Sequence, residues 1–448
     1  MMKRLAIRKK GPQVKVPVAW RNFLADFKRN GIALPTPGKM VRGRIGPVPR
    51  RELARITSEE AAEIERLEGR YGKERLIEIP EEVLEVYRTY RPTPFYKAAG
   101  LGRAVARMMG RSQLRHATIW IKDESTTPSG SHKMNTSIAQ AHCISQDGKK
   151  AIVTDTGAGQ WGVAVAIAAE RLGLESRIFM TSQSFKDKKG RVEWMQRNGA
   201  EVVSSPSNKT EVGRRELAKD PDHPGSLGIG MSEAVSTIDG DTGLALGCMS
   251  YYAALHQSVI GQEMVSQMAE IGIEPDVLVA CIGGGSNFCG LVAPYVEAKL
   301  AGEASPVFVA AESANIPVLT QGRYEWDYQD HGELMAMLLM KTLGHKNVPP
   351  KLHAGGLRYH GKNPALSLLH QLGHVKTVAL QQDEVLKAGL GFEKAEGMLP
   401  APESAHAILA AVREAIAAEL LGLKRNIILL LTGDGKHDHV AYDSVREG

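Results

Sequence analysis

Long hydrophobic runs are missing from this 448-residue chain. No stretch approaches the roughly 18 consecutive apolar residues of a membrane-spanning helix, so no membrane association is expected. Cysteine is scarce. Cys143, Cys248, Cys281 and Cys289 stand far apart with no CxxC spacing, which argues against a zinc site or a disulfide framework. They read as small buried hydrophobes in a reducing compartment, the cytoplasm. The 46 Gly and 22 Pro show neither period nor clustering, which excludes collagen and a disordered linker protein. Internal repeats are absent. What is present is ordinary: 43% hydrophobic and 24% charged residues, enough at about 150 residues per domain for two or three units with their own cores.

Acids are missing from the first fifty residues, where 13 Lys and Arg face only Asp26. That segment is +12 while the remainder is −6, a contrast hidden in the overall +6. A transit peptide would be richer in Ser and amphipathic. A nucleic-acid arm would carry base-stacking aromatics, which are lacking, so no nucleic-acid partner is expected. The reading adopted is a basic leader over 1–50, either solvated or lying over a neighbour's acidic surface.

Residues 58–70 and 80–90 are predicted to be helical, the first opening on Ser58, Glu59 and Glu60. Strand-length apolar runs follow at 117–121, 151–154, 177–180, 278–282, 307–311 and 427–431. Between them 161–171, 255–270, 383–396 and 404–420 carry apolar residues at helical spacing. Strand, turn and helix in repetition imply an α/β fold with parallel sheet covered by helices. Residues 204–230 are polar and rich in turn formers, and are expected to be a mobile surface insertion.

In open α/β sheets ligands bind beyond the carboxyl ends of strands. Three such turns are chemically loaded. After 117–121, Pro128 to Ser131 lead into a helix near His132 and Lys133, where a lysine is electrostatically misplaced because a helix N-terminus favours anions. Such an amine suits a Schiff base, since positive surroundings favour its neutral, nucleophilic form; the alternative is a solvated loop lysine. After 151–154, Asp155 stands at a strand tip and Thr156-Gly157-Ala158-Gly159-Gln160-Trp161 turns into a helix whose amides suit a carboxylate. The third turn is Gly283-Gly284-Gly285-Ser286-Asn287. It is neither a Walker A loop nor a dinucleotide fingerprint, and reads as an anion nest for a phosphate.

A lysine, a carboxylate-binding turn and a phosphate nest together suggest pyridoxal phosphate, which also needs a group facing its ring nitrogen. Thr432, at the tip of the last strand, is the candidate. A hydroxyl there would not hold the nitrogen protonated, favouring β-elimination and replacement over transamination. Glu396 is a candidate second carboxylate near the ring, with a surface helix end as its alternative.

With those residues in hand, the chain resembles the type 2 branch of the tryptophan synthase β chains from about Trp20 to Asp438. The resemblance rests on RPTPFY (91–96), GSHKMNT (130–136), TGAGQWG (156–162), LHQSVIGQE (255–263), GGGSN (283–287), LGHKNVPP (343–350), HAGGLRYHG (353–361) and EGMLPAPESAHA (396–407). Trp161 and Arg358 look like type 2 rather than type 1. It implies the type II pyridoxal-phosphate fold, two open twisted α/β domains with the cofactor in the cleft between them. A boundary at 250 is expected to separate a lysine-bearing domain (51–250, with a mobile subdomain at about 148–240) from a phosphate-loop domain (251–448). The resemblance implies that Lys133 is the imine lysine and that His132, Asn135, Gly283 to Asn287, Glu396 and Thr432 hold the cofactor. Thr156, Gly157, Ala158, Gln160 and Trp161 then hold the substrate carboxylate. It implies L-serine and indole as substrates of tryptophan biosynthesis, Lys133 as general base, a homodimer with little or no α-subunit binding, and room for a monovalent cation; no other metal is implied.

Two features depart from the family pattern. The carboxylate before the TGAGQ turn is normally Glu and here is Asp155, one methylene shorter. The segment SQSFKDKKGRVEWMQRNG (182–199) also replaces the usual run. Alternatives therefore remain: O-phosphoserine as donor with Arg358 at its phosphate, a nucleophile other than indole, or a serine/threonine dehydratase.

Overall fold

The computed structural model describes residues 14–41, 44–47 and 74–446; the helix expected over 58–70 lies outside them. All six strand-length runs form strands. Five segments build one parallel sheet in the order Val375–Leu380, Val307–Ser313, Val277–Cys281, Arg425–Leu431, Ala117–Asp123, and Phe95–Lys97 closes its edge antiparallel. The central strands are apolar on both faces because helices cover both. Helix Pro402–Leu421 covers one of them. Its Ala405, Ala407, Ala411 and Ala415 are fully buried, and such small side chains let the helix axis sit close to the sheet. Proline in its first turn and Gly422 at φ 68° after its last set its ends.

A second parallel sheet runs Thr242–Leu244, Ala151–Thr156, Glu175–Thr181, Ala200–Ser205. A cut at 250 does not separate the two sheets, because the strand leading to Lys133 pairs residue for residue with Arg425–Leu431. The larger unit is assembled from both ends of the chain around the smaller.

The basic leader is not a solvated arm where it is described. Phe23 and Phe27 are fully buried, Trp20 packs 4.5 Å from the His256 ring, and strand Ala19–Arg21 pairs with Leu76–Glu78. Its one acid, Asp26, is buried and takes two hydrogen bonds from Arg21 at 2.7 and 2.9 Å. Burial outweighs that guanidinium and lifts its carboxyl to about 6. Aromatic and aliphatic residues decided the placement, and the charges lie around them.

The polar stretch 204–230 is likewise built in. It forms helix Glu211–Lys219 and the start of Leu227–Ser236. Its polarity is satisfied locally: Thr210 and Ser226 cap these helices through Gly213 and Ile229 amides at 3.0 and 3.2 Å. Glu233 accepts from the Ser207 amide, the Ser207 hydroxyl and the Thr210 hydroxyl at 3.0, 2.6 and 2.8 Å.

Behind the lysine-bearing helix lies a fully buried ionic cluster. Arg91 donates to Glu263 at 2.7 Å and to Glu124 at 3.0 Å, and Lys122 donates to Glu263 at 2.9 Å. Burial alone would raise the Glu124 carboxyl, but Arg91 and Lys122 hold it at about 2. Two cations and two anions balance. Removing one leaves an uncompensated buried charge, so Arg91→Met should cost about 3–5 kcal/mol, read as a lower urea midpoint. Arg88→Ala, which breaks an exposed pair with Glu81, should barely move that midpoint.

Candidate active site

After Ala117–Asp123 the chain makes a short 3-10 turn, Glu124–Thr126, whose Ser125 amide donates to Asp123 at 3.0 Å. Thr127 then braces the bend, donating to the Ser131 carbonyl at 2.6 Å and accepting from the Ser131 amide at 3.1 Å. Gly130 turns at φ 68° where a Cβ would press on the Asp434 carboxylate. The His132 amide donates to the Thr432 carbonyl at 2.9 Å, and Gln257 donates to the His132 carbonyl at 3.1 Å. Gln257 sits at the break between helices Tyr251–His256 and Ser258–Ile271, where a single helix was expected. Lys133 is thus delivered at the head of helix Met134–Gln146, with no acid in its first turn. The His132 imidazole is buried and its Nδ1 has no partner; burial and then the Lys133 charge push its pKa down to about 3.

The facing wall comes from the smaller sheet. Asp155 and Thr156 end strand Ala151–Thr156, and Gly159 turns at φ 91° into helix Gln160–Arg171. Thr156 caps that helix by accepting from the Gly162 amide at 3.1 Å. Gly157 must be glycine, since a Cβ would lie 2.6 Å from the Gly355 carbonyl oxygen. The Trp161 indole donates to Thr154 at 2.7 Å. Between the walls is a cleft of about 520 Å³ lined by Lys133, Asp155, Thr156, Gly157, Ala158, Gln160 and Trp161, within the usual range of small-molecule sites. Leu227, Met231, Leu246 and Met249 add an apolar side. Burial pushes the Asp155 carboxyl up to about 7, against the pull of Lys133.

The glycine loop lies one layer behind the cleft. A Cβ on Gly283 would strike the Gly356 carbonyl, and one on Gly284 the Cys248 sulfur; both neighbours line the cleft. Asn287 donates to the Cys281 carbonyl at 2.7 Å, closing the loop on itself. The amides of Gly283, Gly285, Ser286 and Asn287 have no backbone or side-chain oxygen acceptor among the described residues. Unpaired amides at a helix entry, an amine on the cleft wall and a hydroxyl at the adjoining strand tip fit a phosphorylated carbonyl cofactor. That hydroxyl, Thr432, lies 2.9 Å from Ser404 and 3.4 Å from the Cys281 sulfur.

Three expected residues are not at the cleft. Asn135 is committed to the buried ionic cluster, donating to Glu124 and Gln257 at 2.9 and 3.0 Å and accepting from Arg91 at 2.6 Å. Glu396 ends helix Gln382–Glu396 and accepts from the Leu101 amide at 2.7 Å, capping helix Ala99–Met108. Arg358 is buried and donates to the Gly225 and Pro349 carbonyls at 3.2 and 2.9 Å. Burial lowers it to about 10.

Other residues went unseen in the sequence. Glu403, seven positions beyond Glu396 in the same motif, accepts from the Gly356 amide at 2.7 Å and lies 3.5 Å from Gln160. An acid in the first turn of a long helix attracts no notice. The departing segment 182–199 supplies Lys188 and Arg191, each 2.6 Å from Asp438. Arg191 also donates to the Ala158 carbonyl at 2.9 Å. This ionic clasp ties the small sheet to the chain beyond Thr432.

A profile of the pyridoxal-phosphate dependent enzymes matches residues 86–433. "Tryptophan synthase beta chain 2" of Thermococcus kodakarensis is 42% identical over 440 residues, 98% of this chain and 95% of that one. Its namesake in Thermotoga maritima is 43% identical over 432 residues, 96% of this chain and 97% of that one. Among solved structures, a fungal L-serine ammonia-lyase from Rhizomucor miehei superposes with a TM-score of 0.58 at 16% identity, covering 79% of this chain and 97% of its own. A bacterial-type relative, the T.th. threonine deaminase, does so with 0.55 at 18%, covering 80% and 98%. At such identities these structures establish the fold alone.

The state of Asp155 is measurable in the apoprotein. Its carboxyl is raised from 3.8 to about 7, so the unfolded chain ionises first and the fold loses stability as pH rises between those values. Asp155→Asn removes that penalty. Its stability advantage over wild type in urea should grow from about pH 4 to pH 7 and then level. A pH-independent difference would contradict the buried carboxyl.

Proposed function

The chain belongs to the pyridoxal-phosphate dependent enzymes and, among them, to the type 2 tryptophan synthase β chains; it is a pyridoxal-phosphate-dependent lyase, and from that premise we propose that it joins L-serine to indole by β-replacement, yielding L-tryptophan and water. When bound, the cofactor supplies an electron sink that acidifies the α-proton of the attached amino acid and loosens its β-substituent. Lys133 is the residue that would hold it covalently, and its Nζ, once released, takes the α-proton and later returns it. The free amides of Gly283 to Asn287 would take the phosphate, and the turn Thr156 to Trp161 the substrate carboxylate. Thr432, a neutral hydroxyl, leaves the ring nitrogen unprotonated.

The observation that carries the indole assignment is the composition of the cleft. One carboxylate, Asp155, stands beside an apolar side of Leu227, Met231, Leu246 and Met249, which suits a flat aromatic ring with a single N–H to be hydrogen-bonded. The shorter side chain is met by closer packing. Gly230 has no Cβ, and one there would lie 3.1 Å from the Asp155 Cβ, so the helix carrying Leu227 and Met231 draws in around the carboxylate. The Lys188–Asp438–Arg191 clasp keeps the small sheet closed and water out, which prevents diversion of the serine unit to pyruvate.

O-phosphoserine as donor is the second reading, favoured by Arg358. Its buried guanidinium has only neutral carbonyl partners and its Nε has none, an arrangement that suits an incoming dianion. By family resemblance the enzyme is proposed to act in the cytoplasm as a homodimer without a tight α-subunit. No helix among the described residues is long and apolar enough to cross a membrane.

Incubation with pyridoxal phosphate, L-serine and indole should yield tryptophan in excess of pyruvate, both quantified in one chromatogram. Pyruvate with little tryptophan would move the search to other nucleophiles. Asp155→Asn should slow tryptophan formation by on the order of a hundredfold or more, and Asp438→Asn should raise the pyruvate share. If phosphoserine outpaces serine, Arg358→Ala should erase that preference; an equal loss with both donors removes Arg358 from donor choice.

A further inference from the structure

A second lysine meets the glycine loop from behind. Lys362 is fully buried, and its ammonium donates to the carbonyl oxygen of Gly283 at 2.7 Å. Its own backbone is held on both sides, the amide donating to the Lys341 carbonyl at 3.0 Å and the carbonyl accepting from Ser367 at 3.2 Å. Among the described residues it has no ion-pair partner. The acid that acts on it from a distance, Glu312, is occupied by the Leu319 and Thr320 amides at 2.9 and 3.0 Å and the Thr320 hydroxyl at 2.7 Å. Burial pushes the amine down to about 8. A buried ammonium with one main-chain carbonyl as its hydrogen-bond partner is costly, and calls for a reason.

The next residue repeats the contact: the Asn363 amide donates to the Gly284 carbonyl at 2.7 Å. In a trans peptide the C=O and N–H point to opposite sides. Holding both carbonyls from behind turns the Gly284 and Gly285 amides the other way, toward the cleft where Cys248 and Gly356 stand. The charge at Gly283 also adds a positive potential behind the anion site. A bound potassium or ammonium ion seated on main-chain carbonyls would do both things. We propose that Lys362 is a tethered monovalent cation, which orients the glycine loop for phosphate and makes a free ion there unnecessary. This rests on the reading of residues 283–287 as the phosphate cradle.

The test is the dissociation constant of pyridoxal phosphate from the apoprotein, by fluorescence quenching, in choline, potassium or ammonium chloride at one ionic strength. Wild type should bind equally in all three. Lys362→Met should bind about tenfold more weakly in choline and recover saturably with potassium or ammonium. A saturable potassium requirement in wild type overturns the proposal without any variant, as does a folded Lys362→Met that is unchanged or that no cation rescues. If Lys362→Met fails to fold, the wild-type titration decides alone. Pyridoxal, which lacks the phosphate, separates the two readings. Equal affinity for pyridoxal and its phosphate in wild type would refute the cradle. A phosphate preference that survives intact in Lys362→Met keeps the cradle and refutes the lysine's role.

Discussion

The buried cluster of Arg91, Lys122, Glu124 and Glu263 is the constraint on which the rest of the site depends. Its members come from the turn before the edge strand, the strand leading to the lysine, the turn after it and helix Ser258–Ile271. In a low-dielectric interior charges tolerate burial only with near-ideal partners, so the cluster admits one relative placement of these segments. Asn135 carries the constraint into the lysine-bearing helix, and Tyr87 adds a hydrogen bond to its carbonyl at 2.5 Å. Lys133 therefore stands on a helix whose first turn cannot drift.

The other walls are positioned against that reference. The Thr432 carbonyl holds the His132 amide, so the last strand and the lysine turn share one register. Glu403 spans from Gly356 to Gln160, tying the larger unit to the carboxylate-binding turn. Asp438 reaches the same turn from the other side through Arg191 and Ala158. The only strongly raised acid of the cleft wall, Asp155, sits where burial is greatest and compensating bonds fewest, which is what a group that must exchange a proton near neutrality needs.

Much of this was legible in the residues. The six apolar runs became strands because parallel sheet covered on both faces requires continuous hydrophobicity. The glycines at 157 and 283–285 marked close backbone approaches. Reading failed where local composition and tertiary environment disagree. The leader looked solvated because its charges outnumber Trp20, Phe23 and Phe27, although those three set its place. Residues 204–230 looked loose because capping hydroxyls resemble turn formers, yet Leu227 and Met231 from the adjoining helix line the cleft. Asn135 lies in the same motif as Lys133, but the helix turns its amide to the opposite side. Of the two glutamates in EGMLPAPESAHA, the chain bend at Pro400 to Pro402 sends Glu396 to a neighbouring helix end and Glu403 inward.

Sequence by itself determined the class of fold, the lysine, the two glycine turns and hence the cofactor chemistry, because these depend on short-range rules: strand, turn and helix entry in fixed succession. Tertiary structure alone decided which carboxylate faces the cleft, that the departing segment at 182–199 forms an ionic clasp with Asp438, and that Lys362 lies against Gly283. Each joins residues from about 80 to 250 positions apart. Their charges are governed by burial and partner geometry, which no local pattern encodes.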